Sequence, residues 1–155
     1  MHKATTTEPL QFHNDESIPC HRLPFVGTGI KSPGLAFWNV PETGGYTGGC
    51  RTGEALALLY MKHLREHGPG PGGMLQHIAF SMFGDRPGND AVNGQVVGFF
   101  GALEKMWFLA CRQNRVLDDF KAADLLEAAN AGLNFDEEAF RASLSDDEDD
   151  SNTSH

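Results

Sequence analysis

Five stretches of the chain repeat apolar residues at a spacing of three to four, and they predict helices near residues 52–67, 73–83, 91–115, 119–131 and 135–144. The first follows "GGYTGGCRTGEALALLYMKHLREHG", residues 44–68. Thr52 stands as its N-cap, Glu54 favours the amino end, and Gly68-Pro69 stops it. In the second, Met74, Leu75, Ile78, Ala79, Met82 and Phe83 share a stripe that ends at Gly84. Asp90 is the expected N-cap of the third and longest, whose pattern runs through Phe99, Leu103, Met106, Trp107 and Ala110. Gly94, Gly98 and Gly101 weaken that helix intrinsically, which is understandable if another helix or the Trp38 region approaches it closely. The fourth takes Asp118 or Asp119 as cap, turns Phe120, Ala123, Leu126 and Ala129 toward the core and ends at Gly132. Asn134 and Glu137 stand at capping-box spacing before the fifth, which faces Phe140 and Leu144 inward.

Ahead of the helices, two short apolar patches at residues 23–30 and 35–40 flank Lys31-Ser32-Pro33-Gly34, a strong turn signal. They read as a loose hairpin or an irregular segment lying over the helical core. The expected architecture is therefore a mainly α single domain of about five helices behind a short hairpin-like segment. Residues 1–18 form a flexible N-terminal segment, residues 19–145 the globular domain, and residues 146–155 a disordered acidic tail.

Composition supports a folded interior, since 40% of the chain is apolar and Phe alone occupies 11 of the 155 positions. The longest apolar stretch, residues 96–111, is broken by Glu104 and Lys105 and falls short of the roughly 20 residues a membrane span needs, so no membrane association is expected. The three widely spaced cysteines, Cys20, Cys50 and Cys111, and an opening without a signal-peptide pattern suit a reduced, cytoplasmic protein.

Charge changes the picture more. The net charge of −9 is uneven: residues 1–117 carry 10 basic and 9 acidic groups, whereas residues 118–155 carry 2 and 12. A local excess of −10 repels phosphate backbones and attracts basic surfaces, which argues against direct nucleic-acid binding and for a basic protein partner. Asp146, Asp147, Glu148, Asp149 and Asp150 would steer that partner, and an apolar or aromatic patch that includes Trp107 would supply docking energy. A third helix that is apolar on more than one side leaves two arrangements open, the centre of a five-helix domain or a face shared in a homodimer.

The candidate chemistry lies in the glycine-rich run. Cys50 just ahead of a helix start, beside Arg51, would have an activated thiol, and Gly48 and Gly49 would leave amides to cradle an anion. His77 would be the base of such a site, because His63 is 13 residues along the same helix, about 20 Å away. Neither a Walker loop nor a Cys-x5-Arg loop is present, so the plainer reading makes Cys50 a small packed residue and the glycines room for a turn. His63 and His67 share a helical face at a spacing that can hold a metal, although exposure near a helix end accounts for them as well. Cys20-His21 has no paired cysteines to complete a zinc site, and Glu104 is expected to point outward. No cofactor is called for. The function expected is that of a small acidic protein-binding or regulatory module, an inhibitor of a basic or nucleic-acid-binding protein being one version. A cysteine-dependent enzyme or anion-binding protein centred on Cys50, and a structural subunit of an oligomer, are the alternatives.

Overall fold

Glycines would ordinarily interrupt a helix, yet residues 45–67 form one continuous helix. It is the first of five in a computed structural model that describes residues 7–14, 18–28, 35–84 and 88–149. The protein is mainly α, with α1 at Gly45–His67, α2 at Leu75–Phe83, α3 at Asp90–Gln113, α4 at Ala122–Leu133 and α5 at Glu137–Asp149. Short 3₁₀ turns at Pro19–Arg22 and Arg115–Asp119 precede β1 and α4. Strands β1 (Gly27–Thr28) and β2 (Leu35–Ala36) form the hairpin-like segment, antiparallel with Gly27 opposite Ala36 and Thr28 opposite Leu35. The expected turn at residues 31–34 and the tail from residue 150 lie outside the described residues.

The chain divides into two compact units, Met1–Ala110 and Cys111–His155, the division falling near the carboxyl end of α3. In the first, Leu23, Phe25, Trp38, Leu56, Tyr60, Ile78, Met82, Phe99 and Leu103 are buried together. Phe99 is the hub of this core. Its ring lies edge-on to Trp38 at 5.1 Å, 6.0 Å from Tyr60 and 6.4 Å from Phe25. Gln95, one turn before Phe99, is the one buried polar side chain among the described residues. Its Oε1 accepts from Trp38 Nε1 at 3.0 Å and its Nε2 donates to the Pro41 carbonyl at 2.9 Å. An amide with both ends satisfied can sit in an apolar core, and here it fastens the N-terminal segment onto α3.

Several helix boundaries differ from the sequence expectation, and the caps explain how. The helix expected to start at Thr52 begins two turns earlier, where Gly44, at φ 88°, takes the left-handed conformation that glycine tolerates and its carbonyl accepts from Gly48 N. Asn89 rather than Asp90 caps α3, because its Oδ1 accepts from Val92 N at 2.8 Å while its Nδ2 donates to Glu42. Asp118 and Asp119 sit inside a 3₁₀ turn that Asn114 caps through Val116 N, so α4 starts only after Lys121. That helix passes Gly132 and stops at Asn134, whose N–H returns to the Ala131 carbonyl and whose side chain bonds the Asn130 carbonyl. For α5 the cap is Asp136, accepting from Ala139 N at 2.9 Å, in place of the Asn134–Glu137 capping box. The backbone of α5 continues to Asp149, through four residues expected to be disordered. Once a helix is nucleated, each further residue costs little, and the Glu137–Arg141 pair at 2.9 Å reinforces the early turns.

Candidate binding surfaces

The glycine run is one face of a helix crossing. Gly49 and Gly53 on α1 lie against the backbone of α3 at Ala91, Gln95 and Phe99, and Gly94 and Gly98 on α3 lie against the backbone of α1 at Tyr46 and Cys50. A Cβ built on any of the four would overlap a carbonyl oxygen of the other helix. Each four-residue spacing puts its pair of glycines on one face, and without side chains the two backbones can meet. The sequence expectation of a glycine-rich loop ahead of Cys50 is thereby corrected.

Cys50 is half-buried in the second turn of α1 with its carbonyl against Gly98, and Arg51 beside it is exposed. Amides that an anion cradle at Gly48 and Gly49 would need serve the helix instead: Gly48 N donates to Gly44 O at 3.1 Å, and Gly49 follows within the same ladder. The expected base, His77, stacks on Phe37 with ring centroids 5.0 Å apart. Phe37 is itself held by its N–H to Ser81 Oγ at 3.2 Å. The activated thiol and its anion nest therefore lose the loop on which they depended.

His63 and His67 do share a face, with ring centroids 5.0 Å apart, and His67 Nε2 is 3.9 Å from Glu66 Oε2. Among the described residues no group of three His, Cys, Asp or Glu side chains is placed to hold a metal, so the pair lacks a third ligand. Burial lowers the His63 pKa below its ordinary 6.5, the neighbouring His67 lowers it further, and Glu66 partly opposes both. Both histidines line a cleft with Arg22 and Lys62 above Leu23 and Leu59, a grouping that no sequence spacing announces because Arg22 comes from the 3₁₀ turn forty residues upstream of Lys62.

The acidic region has a different character. Every residue from Glu104 to Leu144 is exposed in the single chain. At the end of α3 this exposes Met106, Trp107, Phe108 and Leu109, with Trp107 at 49%, so the third helix is central only through its first half. In the second unit it exposes Phe120, Leu126, Phe140 and Leu144, which were expected to face a core; no residue of α4 is buried. The apolar stripes are present as the periodicity indicated, but the described side chains that carry them stay exposed. Of the acidic partner-binding candidates, Asp146, Asp147, Glu148 and Asp149 fall within the α5 backbone, and Asp150 lies outside the described residues. No helix of the described chain is long and apolar enough to cross a membrane. Comparison with known protein families, curated proteins and solved structures finds no match for this chain.

Proposed function

We propose that the protein is a non-enzymatic binding module whose C-terminal unit docks onto a basic protein partner. The observation that carries this reading is that every residue from 111 to 144 is exposed, among them Val116, Leu117, Phe120, Leu125, Leu126, Leu133, Phe135, Phe140 and Leu144, each with between 47% and 84% of its surface accessible. Helices of 12 and 13 residues are marginal in water unless an apolar face is covered. Burying these nine side chains against a partner is worth on the order of 10 kcal/mol before ordering and association costs, enough for specific docking.

Charge selects the occupant. Twelve carboxylates against two basic groups after residue 117 would bring like charge against like charge in a dimer formed through this unit. A partner with a basic rim around an apolar groove satisfies both the stripe and the charge. Inhibition of a basic, nucleic-acid-binding protein is the regulatory version of this reading, since the docked acidic unit would occupy the surface that phosphates use.

Salt dependence tests the reading. Attraction to a basic partner weakens as salt rises, whereas self-association of an acidic surface strengthens, because screening removes attraction in one case and repulsion in the other. Affinity for the partner co-purified from the source cells should fall with salt and should fall less steeply after deletion of residues 146–155. Unchanged affinity and salt dependence in the deletion variant would remove the tail from the mechanism. Mass doubling promoted by salt, with no second protein bound, would favour a structural oligomer.

A further inference from the structure

We propose that the cleft beside the last turns of α1 binds a small organic phosphate, a phosphate group carried on an aromatic or aliphatic body. The cleft is built within the first unit. Its apolar surfaces are Leu23, which is buried in the core below, Leu59 on α1, and Phe12 from the N-terminal segment. A backbone bond from His13 N to Arg22 O, 3.0 Å, fastens that segment beside the 3₁₀ turn and so holds Phe12 at the cleft. Phe12 remains 59% exposed, an aromatic face available for a ligand to cover.

The charged lining is cationic in a chain whose net charge is −9. Arg22 and Lys62 contribute two permanent positive charges, and among the described residues neither forms an ion pair. Among the described residues Glu66 is the only carboxylate in the lining, and it lies beside His67. The guanidinium fork suits phosphate oxygens, and the Lys62 ammonium adds a mobile point charge. The carboxyl end of α1 opposes an anion, so the charges alone have to overcome the helix dipole. That opposition favours a two-part ligand, whose apolar body takes the Phe12, Leu23 and Leu59 surface, over inorganic phosphate.

The imidazoles follow the ligand. In the unliganded cleft, burial and His67 keep His63 neutral to lower pH than usual, against the pull of Glu66, with Arg22 and Lys62 facing the same space. A bound dianion favours the protonated ring, so its arrival should raise the His63 midpoint.

Titration of the full chain at pH 7 with phenyl phosphate, inorganic phosphate and phenol, followed by NMR at His63, His67 and the Leu23 and Leu59 methyls, tests the proposal. Expected are saturable shifts with phenyl phosphate, at least tenfold tighter binding than with either fragment, and, in a pH series recorded with and without phenyl phosphate, an upward move of the His63 midpoint. Arg22→Gln and Lys62→Gln should each weaken binding several-fold and together abolish it, while the rest of the spectrum stays folded. Phenyl phosphate that binds no better than inorganic phosphate, shifts that map elsewhere, or affinity unchanged in the double variant would overturn it.

Discussion

Gly98 of α3 lies against the backbone of Cys50 on α1 so closely that a Cβ on the glycine would overlap the Cys50 carbonyl oxygen and approach its carbonyl carbon to 2.8 Å. This contact sets the spacing of the two longest helices. Gly98→Ala should therefore destabilise the protein by about 1–3 kcal/mol, since the overlap outweighs alanine's better helix propensity. Gly101, three residues along the same helix, meets nothing within 4 Å, and Gly101→Ala should stabilise by about 0.5–1 kcal/mol. Urea unfolding of the two variants checks the contrast, and equal effects would remove the close crossing from the account.

The Trp38–Gln95–Pro41 link makes a second demand. Gln95→Leu takes an acceptor from the Trp38 indole and a donor from the Pro41 carbonyl, at about 1–3 kcal/mol for each buried group left unsatisfied. Combined with Trp38→Phe, it should cost less than the sum of the two single changes. Additive losses in a double-mutant cycle would show that the two side chains act independently.

Cys50, half-buried within a helix, should react slowly with a maleimide, while Cys111, which is exposed, is modified first. Peptide mass spectrometry after graded labelling reads the order directly. Rapid, selective modification of Cys50 at neutral pH would restore the activated thiol.

The depressed pKa of His63 has a definite sign. Between that depressed value and the ordinary 6.5, the unfolded chain binds more protons at this site than the folded chain, so stability rises with pH through the window. The contribution is complete above 6.5 and is lost as pH falls through the folded-state value. His63→Gln should flatten this part of the urea midpoint against pH curve between about pH 5 and 7.5, a range set by the ordinary histidine titration. A curve unchanged in shape would contradict the shift.

Much of the fold was legible in the residues themselves. The apolar spacing of "LALLYM" and of residues 74–83 located α1 and α2, and the Pro33-Gly34 signal pointed to the hairpin. The glycines misled as to position. Local propensity reads Gly48 and Gly49 as loop, whereas the helix through them depends on contact with Gly94 and Gly98, more than forty residues away. Periodicity alone carries no sign of whether a stripe meets its own chain or another, which is why Leu126 and Phe140 were expected to be buried and are not. Gln95 carried no local signal either, because its role depends on Trp38 and Pro41 arriving from the N-terminal segment.

The most direct measurement is photocrosslinking in the source cells, with a photoreactive residue placed at Leu126, at Phe140 or, as a control in the first unit, at the exposed Leu58. The expected result is one basic protein captured from Leu126 and from Phe140, not from Leu58, and captured less when residues 146–155 are deleted. Adducts of twice the chain's own 16.9 kDa, or equal capture from all three positions, would contradict docking of the C-terminal unit onto a basic partner.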